Sequence, residues 1–262
     1  MAAEQGTNQS VERAVAVLRA LGSGSSERRV SDIAVDAELG PSTTSRLLTT
    51  LEQLELVERN PVSGLYRLGL GTLPLATMAL NIQPVHRASR MVLQGLAART
   101  ELGANVAVLR GAELFFLSNF EGVRAPKAYA QAGHTAPLHA TAAGKCLISS
   151  MSGGERRSLL GPEPTAHTEY TVISHDALDR ECEAVRRVGY ATEVQERALG
   201  RSSIAAPVLD SQGAVIAAIS LWGPASLLGS LSAAGSPGDR ETELVGQVIE
   251  AADAVSQALG AY

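Results

Sequence analysis

Hydrophobic positions along the first 70 residues recur at helical spacing three times and then change period. In SVERAVAVLRAL, the apolar residues Val11, Ala14, Val15, Leu18 and Leu21 predict an amphipathic helix, which the stretch GSGSSE stops. The segment VSDIAVDAEL predicts a second helix, with Ser31 as N-cap, Asp32 in the first turn and Ile33, Ala34 and Ala37 facing inward. After the Gly40-Pro41 turn, STTSRLLTTLEQLEL predicts a third helix with Leu47, Leu48, Leu51 and Leu54 on one face. VERNPVSGLYRLG then reads as a hairpin: strand 57–59, a turn on Pro61 and Gly64, and strand 65–68. Three short helices followed by a two-stranded ribbon are the parts of a winged helix-turn-helix.

The outward face of the third helix carries Ser42, Thr43, Ser45, Arg46, Thr49 and Thr50. Surface helices ordinarily display long charged side chains. Short hydroxyls around one Arg let a helix approach base edges and phosphates, and Arg can pair bidentately with guanine. An ordinary solvated Ser/Thr face would read the same from this helix alone. The ribbon shifts the balance, because Arg59 and Arg67 on it, with Arg28 and Arg29 before the second helix, could supply phosphate contacts around Arg46.

Beyond residue 84 the pattern predicts an α+β domain with an antiparallel-rich sheet. Segment 85–100 is helical. Segments 105–109, 114–120 and 127–129 alternate or run apolar like strands of a half-buried sheet. A helix over 176–188 places Leu178, Cys182 and Val185 inward and stops at Gly189. Segments 203–210 and 215–222 form a strand pair joined through Ser211, Gln212 and Gly213. A final amphipathic helix over 241–259 is capped by Asp239 and stopped by Gly260.

Charge qualifies the DNA-binding reading. The net charge is −5, and only two of the 22 basic residues are lysines. Residues 1–79 hold 7 Arg against 9 Asp plus Glu. DNA contact must therefore come from a local patch and not from a broad basic field. Cys146 and Cys182 stand alone, without ligand spacing, and suit a reducing cytoplasm as inert core residues. The N-terminus carries no export signal, and no run offers about 20 continuously apolar residues, so a cytoplasmic location without membrane contact is expected.

Enzyme motifs fail on inspection. HATAAGKC lacks the first Gly and the final hydroxyl of a phosphate loop, and neither GxSxG nor HExxH occurs. The histidines share no metal spacing. No catalytic residue, metal or cofactor is expected.

Seven short motifs, in order over more than 200 residues, are similar to the IclR family of bacterial regulators. They are SVERA at 10–14, STTSRLLTTL at 42–51, YRLG at 66–69, PLHATAAGK at 137–145, VGYATEVQE at 188–196, GRSSIAAPVLD at 200–210 and AAISLWGP at 217–224. The resemblance implies a winged helix-turn-helix over 1–69, a linker helix within 70–83 and a GAF-like effector-binding domain over 84–262. It implies a homodimer or homotetramer, paired through the N-terminal regions and linker helices on a near-palindromic double-stranded operator. It also implies a small-molecule effector held by Ala142, Ala143, Glu193, Ser203 and Ser220. Thr141 would cap the helix that opens there or bond the ligand. Family members often carry Asp at position 193, Cys at 203 and Ser at 222, where this chain has Glu193, Ser203 and Trp222. Trp222 would fill much of the pocket, stack on a flat ligand, or simply pack in the core. An organic acid, sugar-derived or aromatic metabolite is expected, with ring-containing or polyhydroxylated effectors favoured over a two-carbon acid. Glu38 and Gly40-Pro41 replace a usual Gly-Leu-Pro turn, and Glu55 stands where Gly is common. The competing reading is a metabolite-binding protein whose helix-turn-helix serves protein contacts.

Overall fold

A computed structural model describes residues 8–22, 27–125, 132–228 and 239–260. The chain divides into two compact units, Met1–Leu80 and Asn81–Tyr262.

In the first unit, α1 (Gln9–Leu21), α2 (Val30–Asp36) and α3 (Pro41–Gln53) precede a ribbon of β1 (Val57–Arg59) and β2 (Tyr66–Leu68). The ribbon is antiparallel, with Val57 opposite Leu68, and Arg28 adds a bridge to Tyr66. One core joins Val17, Ala20, Leu21, Ile33, Ala37, Leu48, Leu51, Val57 and Tyr66. Several details differ from the sequence expectation. α1 turns Val17 and Ala20 inward and leaves Val11 and Val15 exposed, because its apolar residues ring so much of the helix that spacing alone does not select a face. The N-cap of α2 is Arg29, and Ser31 lies inside the helix. Leu54 is the C-cap residue of α3 and is exposed, since the helix has ended before it could turn inward. Gly40-Pro41 opens α3 as N-cap and first residue, a position where proline's missing N–H costs nothing. α4 (Thr72–Asn81) follows and buries none of its side chains.

The second unit begins with α5 (Pro84–Thr100), β3 (Gly103–Arg110), β4 (Glu113–Phe120) and β5 (Thr135–Pro137). Then come α6 (Ala142–Ile148), α7 (Gly153–Leu160), α8 (His175–Val188), β6 (Ala191–Val194), β7 (Arg201–Leu209) and β8 (Val215–Pro224). A short α9 (Ala225–Leu228) and a long α10 (Asp239–Gly260) close the chain. The six strands form one antiparallel sheet in the order β5-β4-β3-β8-β7-β6. α5 and α10 pack against each other and on the sheet, and α6 contacts β3, β6, β7 and β8.

The sheet is covered on both faces, so β3 is buried over its first five residues where half-burial was expected, and β7 and β8 are buried almost continuously. The expected strand at 127–129 lies outside the described residues. The expected cap Asp239 falls within α10, and its side chain is likewise outside the described set. Small residues set the approach of α6. Ala142, Ala143 and Cys146 share a core with Ala107, Ala191, Ala205 and Ala218. A Cβ on Gly144 would fall 2.2 Å from the Leu138 carbonyl oxygen. Both cysteines are free and buried there, and burial holds their thiols neutral by pushing them up, Cys182 to about 11.

Candidate DNA-reading surface and effector pocket

The helical period places Thr44, Leu48 and Leu51 of α3 in the core and Ser42, Ser45, Arg46, Thr49 and Thr50 in solvent, with Thr43 half-buried. Thr49 and Thr50 return their hydroxyl protons to the carbonyls of Ser45 (3.0 Å) and Arg46 (3.2 Å), so they present methyls and lone pairs outward. Among the described residues no ion pair holds Arg13, Arg29 or Arg46. Arg13 and Ser10 of α1 join Thr43, Arg46, Thr49 and Thr50 around a groove of about 420 Å³. Neither was anticipated, although both fall on the polar side of α1, three residues apart.

Arg28 and the ribbon arginines are more committed. Arg28 is tied to Asp36 at 2.5 Å and to the Ala20 carbonyl at 2.8 Å, which locks α2 to α1. Arg67 pairs with Glu58 at 2.9 Å. Arg59 lies over the Tyr66 ring, 5.6 Å from its centre. The turn between the strands is organised by Asn60, whose side-chain oxygen accepts from Val62 N (2.9 Å) and Ser63 N (3.1 Å) while its amide donates to Glu27. Among the described residues of this unit, the arginines that are both exposed and uncommitted are Arg19, Arg29 and Arg46, and of these Arg46 stands on the outward face of α3.

In the second unit, cross-strand register assembles a polar floor on the face beneath α6. Glu193, Ser203, Trp222 and Gly103 stand in one row, and Ala191, Ala205, Ser220 and Asn105 in the next. This floor, with Thr141, Ala143, Phe116, Arg197 and Arg201, encloses a cavity of about 40 Å³, room for roughly three waters. Six of the seven expected ligand residues line it. Ala142 is fully buried in α6 and does not.

Most of the polar groups are already engaged. The Thr141 hydroxyl donates to the Pro137 carbonyl (2.9 Å) and accepts from Gly144 N (3.1 Å), so it caps α6. Ser220 donates to Asn105 Oδ1 at 2.5 Å. Glu193 accepts from Ser203 Oγ (3.0 Å) at one oxygen and from the amides of Glu196 (2.7 Å) and Arg197 (3.3 Å) at the other. Burial pushes the Glu193 carboxyl above the usual range, and these three donors partly oppose the shift. Trp222 donates Nε1–H to Asn119 at 3.0 Å, and a Cβ on Gly103 would fall 2.2 Å from its indole. Trp222 thus packs and lines the cavity at once, and its bulk keeps the space small.

Behind the floor sits a buried charge cluster. The Lys145 ammonium contacts Glu196 at 2.5 Å and Glu181 at 2.8 Å. Burial alone would lower Lys145, but the two carboxylates outweigh it and the net direction is upward. Burial raises Glu196 to about 7, an increase reduced by Lys145 and reinforced by Glu181 and Glu193. The amide of Glu196 is one of those held by Glu193, so this cluster anchors the 195–200 loop that carries Arg197 to the cavity. Sequence reasoning missed Phe116, Asn105, Arg197 and Arg201. Arg201 was accessible from period-two alternation with Ser203, whereas Arg197 lies in a loop without periodicity.

A winged helix-turn-helix in one unit and a small polar cavity, open on one side, in the other fit a one-chain regulator that couples DNA binding to a small molecule. Residues 10–61 match the IclR helix-turn-helix domain, and residues 77–257 match the bacterial transcriptional regulator IclR C-terminal domain. The chain belongs to the IclR family and is a ligand-responsive, DNA-binding transcription regulator. It is 33% identical over 214 residues to the HTH-type transcriptional regulator XynR of Escherichia coli K12, covering 81% of this chain and 85% of that one. It is 30% identical over 221 residues to the HTH-type transcriptional repressor AllR of the same strain, covering 84% and 82%. An IclR homologue from Microbacterium hydrocarbonoxydans, crystallised with 4-hydroxybenzoate, superposes with a TM-score of 0.79 at 25% identity, covering 97% of this chain and all of that one. These relatives are regulators and not enzymes. Among the described residues no helix is long and apolar enough to cross a membrane, and no group of three His, Cys, Asp or Glu side chains could hold a metal ion.

Proposed function

We propose that this chain is a cytoplasmic repressor of a catabolic or metabolic operon, released from or retained on its operator by a small organic effector. The observation that carries the DNA half is the outward face of α3, where short hydroxyls surround the exposed Arg46. Entering the major groove, that face would put Arg46 against a guanine edge, with Ser42, Ser45 and Thr49 beside it. Arg29, Arg13 and the wing residues Arg59 and Arg67 would position the unit on phosphates, Arg28 acting from behind to hold α2. The repressor assignment follows the likeness to AllR.

α4 supplies the pairing surface. Leu73, Leu75 and Met78 are all more than half exposed on it, an apolar display that a second copy of the chain would cover. A two-fold dimer then sets two α3 helices about one helical turn apart on a near-palindromic site. Domain limits of 1–69, 70–83 and 84–262 fit this division of labour.

We place the effector site in the cavity under α6, because six of the seven expected residues line it, and a homologue of similar fold from Microbacterium was crystallised with a small molecule, 4-hydroxybenzoate. An organic acid, sugar-derived or aromatic metabolite bound there shifts the populations of DNA-competent and incompetent arrangements, as far as its affinities for the two differ. Selection of duplexes from a randomised pool by the full-length protein tests the proposal. Enrichment of an inverted repeat with half-sites about one helical turn apart is expected. Recovery of unpatterned sequence would overturn it.

A further inference from the structure

The cavity's charge inventory is unbalanced. Two guanidinium groups, Arg197 and Arg201, line it against the single carboxylate of Glu193. Both oxygens of Glu193 are occupied by Ser203 and two backbone amides. Among the described residues neither arginine has an ion pair or a hydrogen bond to its guanidinium. Each is held by a ring: Arg201 lies 4.6 Å from the centre of Trp222, and Arg197 lies 5.9 Å from that of Phe116. A ring contact of this kind takes up none of the guanidinium's conventional hydrogen bonds, so its donors stay free for another acceptor.

The surroundings balance this charge only in part. Burial lowers both guanidinium groups, their mutual repulsion adds to the effect at Arg197, and Glu193 offsets only part of it. Arginine nonetheless stays protonated, so the excess positive charge persists. Arg197 is also presented by a braced loop and not by a free tail. Gln195 holds a left-handed φ of 57°, the Thr168 hydroxyl donates to its carbonyl at 2.7 Å, and Glu196 is pinned on Lys145.

Resting on the reading of this cavity as the effector site, we propose that it takes an effector bearing a carboxylate, held by the guanidinium groups of Arg201 and Arg197. The carboxylate supplies the missing negative charge and accepts from both forks. Arg201 is the deeper contact. Arg197 is exposed and lines the cavity from its solvent side. Trp222 does not stack on the effector, since Arg201 covers it and the Gly103 backbone lies against it. These two arginines, and not Glu193, then select acids over neutral analogues.

The test measures binding by calorimetry and thermal shift for matched acid and amide pairs: acetate with acetamide, which fits a space of about 40 Å³, and benzoate with benzamide and gluconate with gluconamide, which must extend beyond it. Full-length wild type, Arg201→Gln, Arg197→Gln, Arg201→Lys and Ala143→Leu are compared. At least one acid should bind wild type roughly 10- to 100-fold more tightly than its amide. Arg201→Gln should collapse that preference, Arg197→Gln should reduce it, and Arg201→Lys should keep part of it. Because, among the described residues, the arginines make no ion pair or side-chain hydrogen bond, both Gln variants should melt no lower than the loss of a single ring contact explains, which separates recognition from a structural role. Equal binding of acid and amide, a preference that survives both Gln variants, or no saturable binding of any acid at roughly 10 mM overturns the proposal. Ala143→Leu fills the cavity without touching either arginine and distinguishes two failures. If acids bind that variant as well as wild type, the cavity is not the effector site. If it abolishes binding while amides bind wild type as well as acids do, only the carboxylate assignment falls.

Discussion

Replacing Lys145 with Met removes one cation from a site it shares with two carboxylates and leaves the volume nearly unchanged. Lys145 is 1% exposed. Its partner Glu196 is 9% exposed along the side chain, and Glu181 is 30% exposed. Orphaning a buried partner costs about 3–5 kcal/mol. Glu181 can turn to water, so the lower end, about 3 kcal/mol near pH 8, applies here. The cost should also depend on pH. Burial already raises Glu196 to about 7 with the lysine present, and loss of the lysine raises it further. Below roughly pH 6 the orphaned carboxyl is therefore neutral, and the penalty falls toward the ~1 kcal/mol of a lost hydrogen bond. In wild type, folded Glu196 keeps a proton that the unfolded chain has released above its ordinary pKa of about 4.3. Its contribution to stability is thus complete below that value and is lost as pH rises through about 7. Urea unfolding followed by tryptophan fluorescence reads this out, because Trp222 is the only tryptophan and reports on the second unit alone. A Lys145→Met loss under ~1 kcal/mol near pH 8, or one equal at pH 8 and 5.5, would refute the reasoning.

Three further outcomes follow from local geometry. Gly103→Ala drives a methyl to 2.2 Å from the indole and should cost about 1–3 kcal/mol, with a shifted Trp222 emission maximum; unchanged emission and stability would show that the ring has room to move. Glu55 occupies a left-handed φ of 61°, so Glu55→Gly should stabilise the DNA-binding unit by about 1 kcal/mol in calorimetry, and a loss would mean that the side chain makes a compensating contact. Met78→Glu places charge on the exposed apolar face of α4 and should shift sedimentation equilibrium toward monomer, whereas an unchanged dimer would move the pairing surface elsewhere.

Much of this was legible in the residues because it follows from local periodicity. The outward face of α3, the ribbon strand Val57–Arg59, the Gly189 stop and the Thr141 cap each depend on neighbours a few positions away. The left-handed φ values of 54° at Glu38 and 61° at Glu55 are ones that glycine adopts without strain, which is the physical sense of the glycine expected at those places from the family resemblance. The capping box of Ser152 and Glu155 that opens α7 was also visible in SGGE but was not used. What escaped was set at long range. Lys145 and Glu196 are 51 positions apart, and no pattern pairs them. β5 is three residues long and holds a proline, too little to register as a strand. The cavity's arginines became apparent only once register set Arg201 beside Ser203 and a loop returned Arg197 over Phe116.

The central claim is that α3 reads DNA through Arg46. Fluorescence anisotropy of wild type and Arg46→Ala on a labelled duplex carrying the selected operator tests it most directly. A loss of roughly 1–3 kcal/mol in specific binding, with relaxed discrimination at one base pair and an unchanged melting profile, is the predicted result. Undiminished affinity and sequence preference in a folded Arg46→Ala protein would contradict the account.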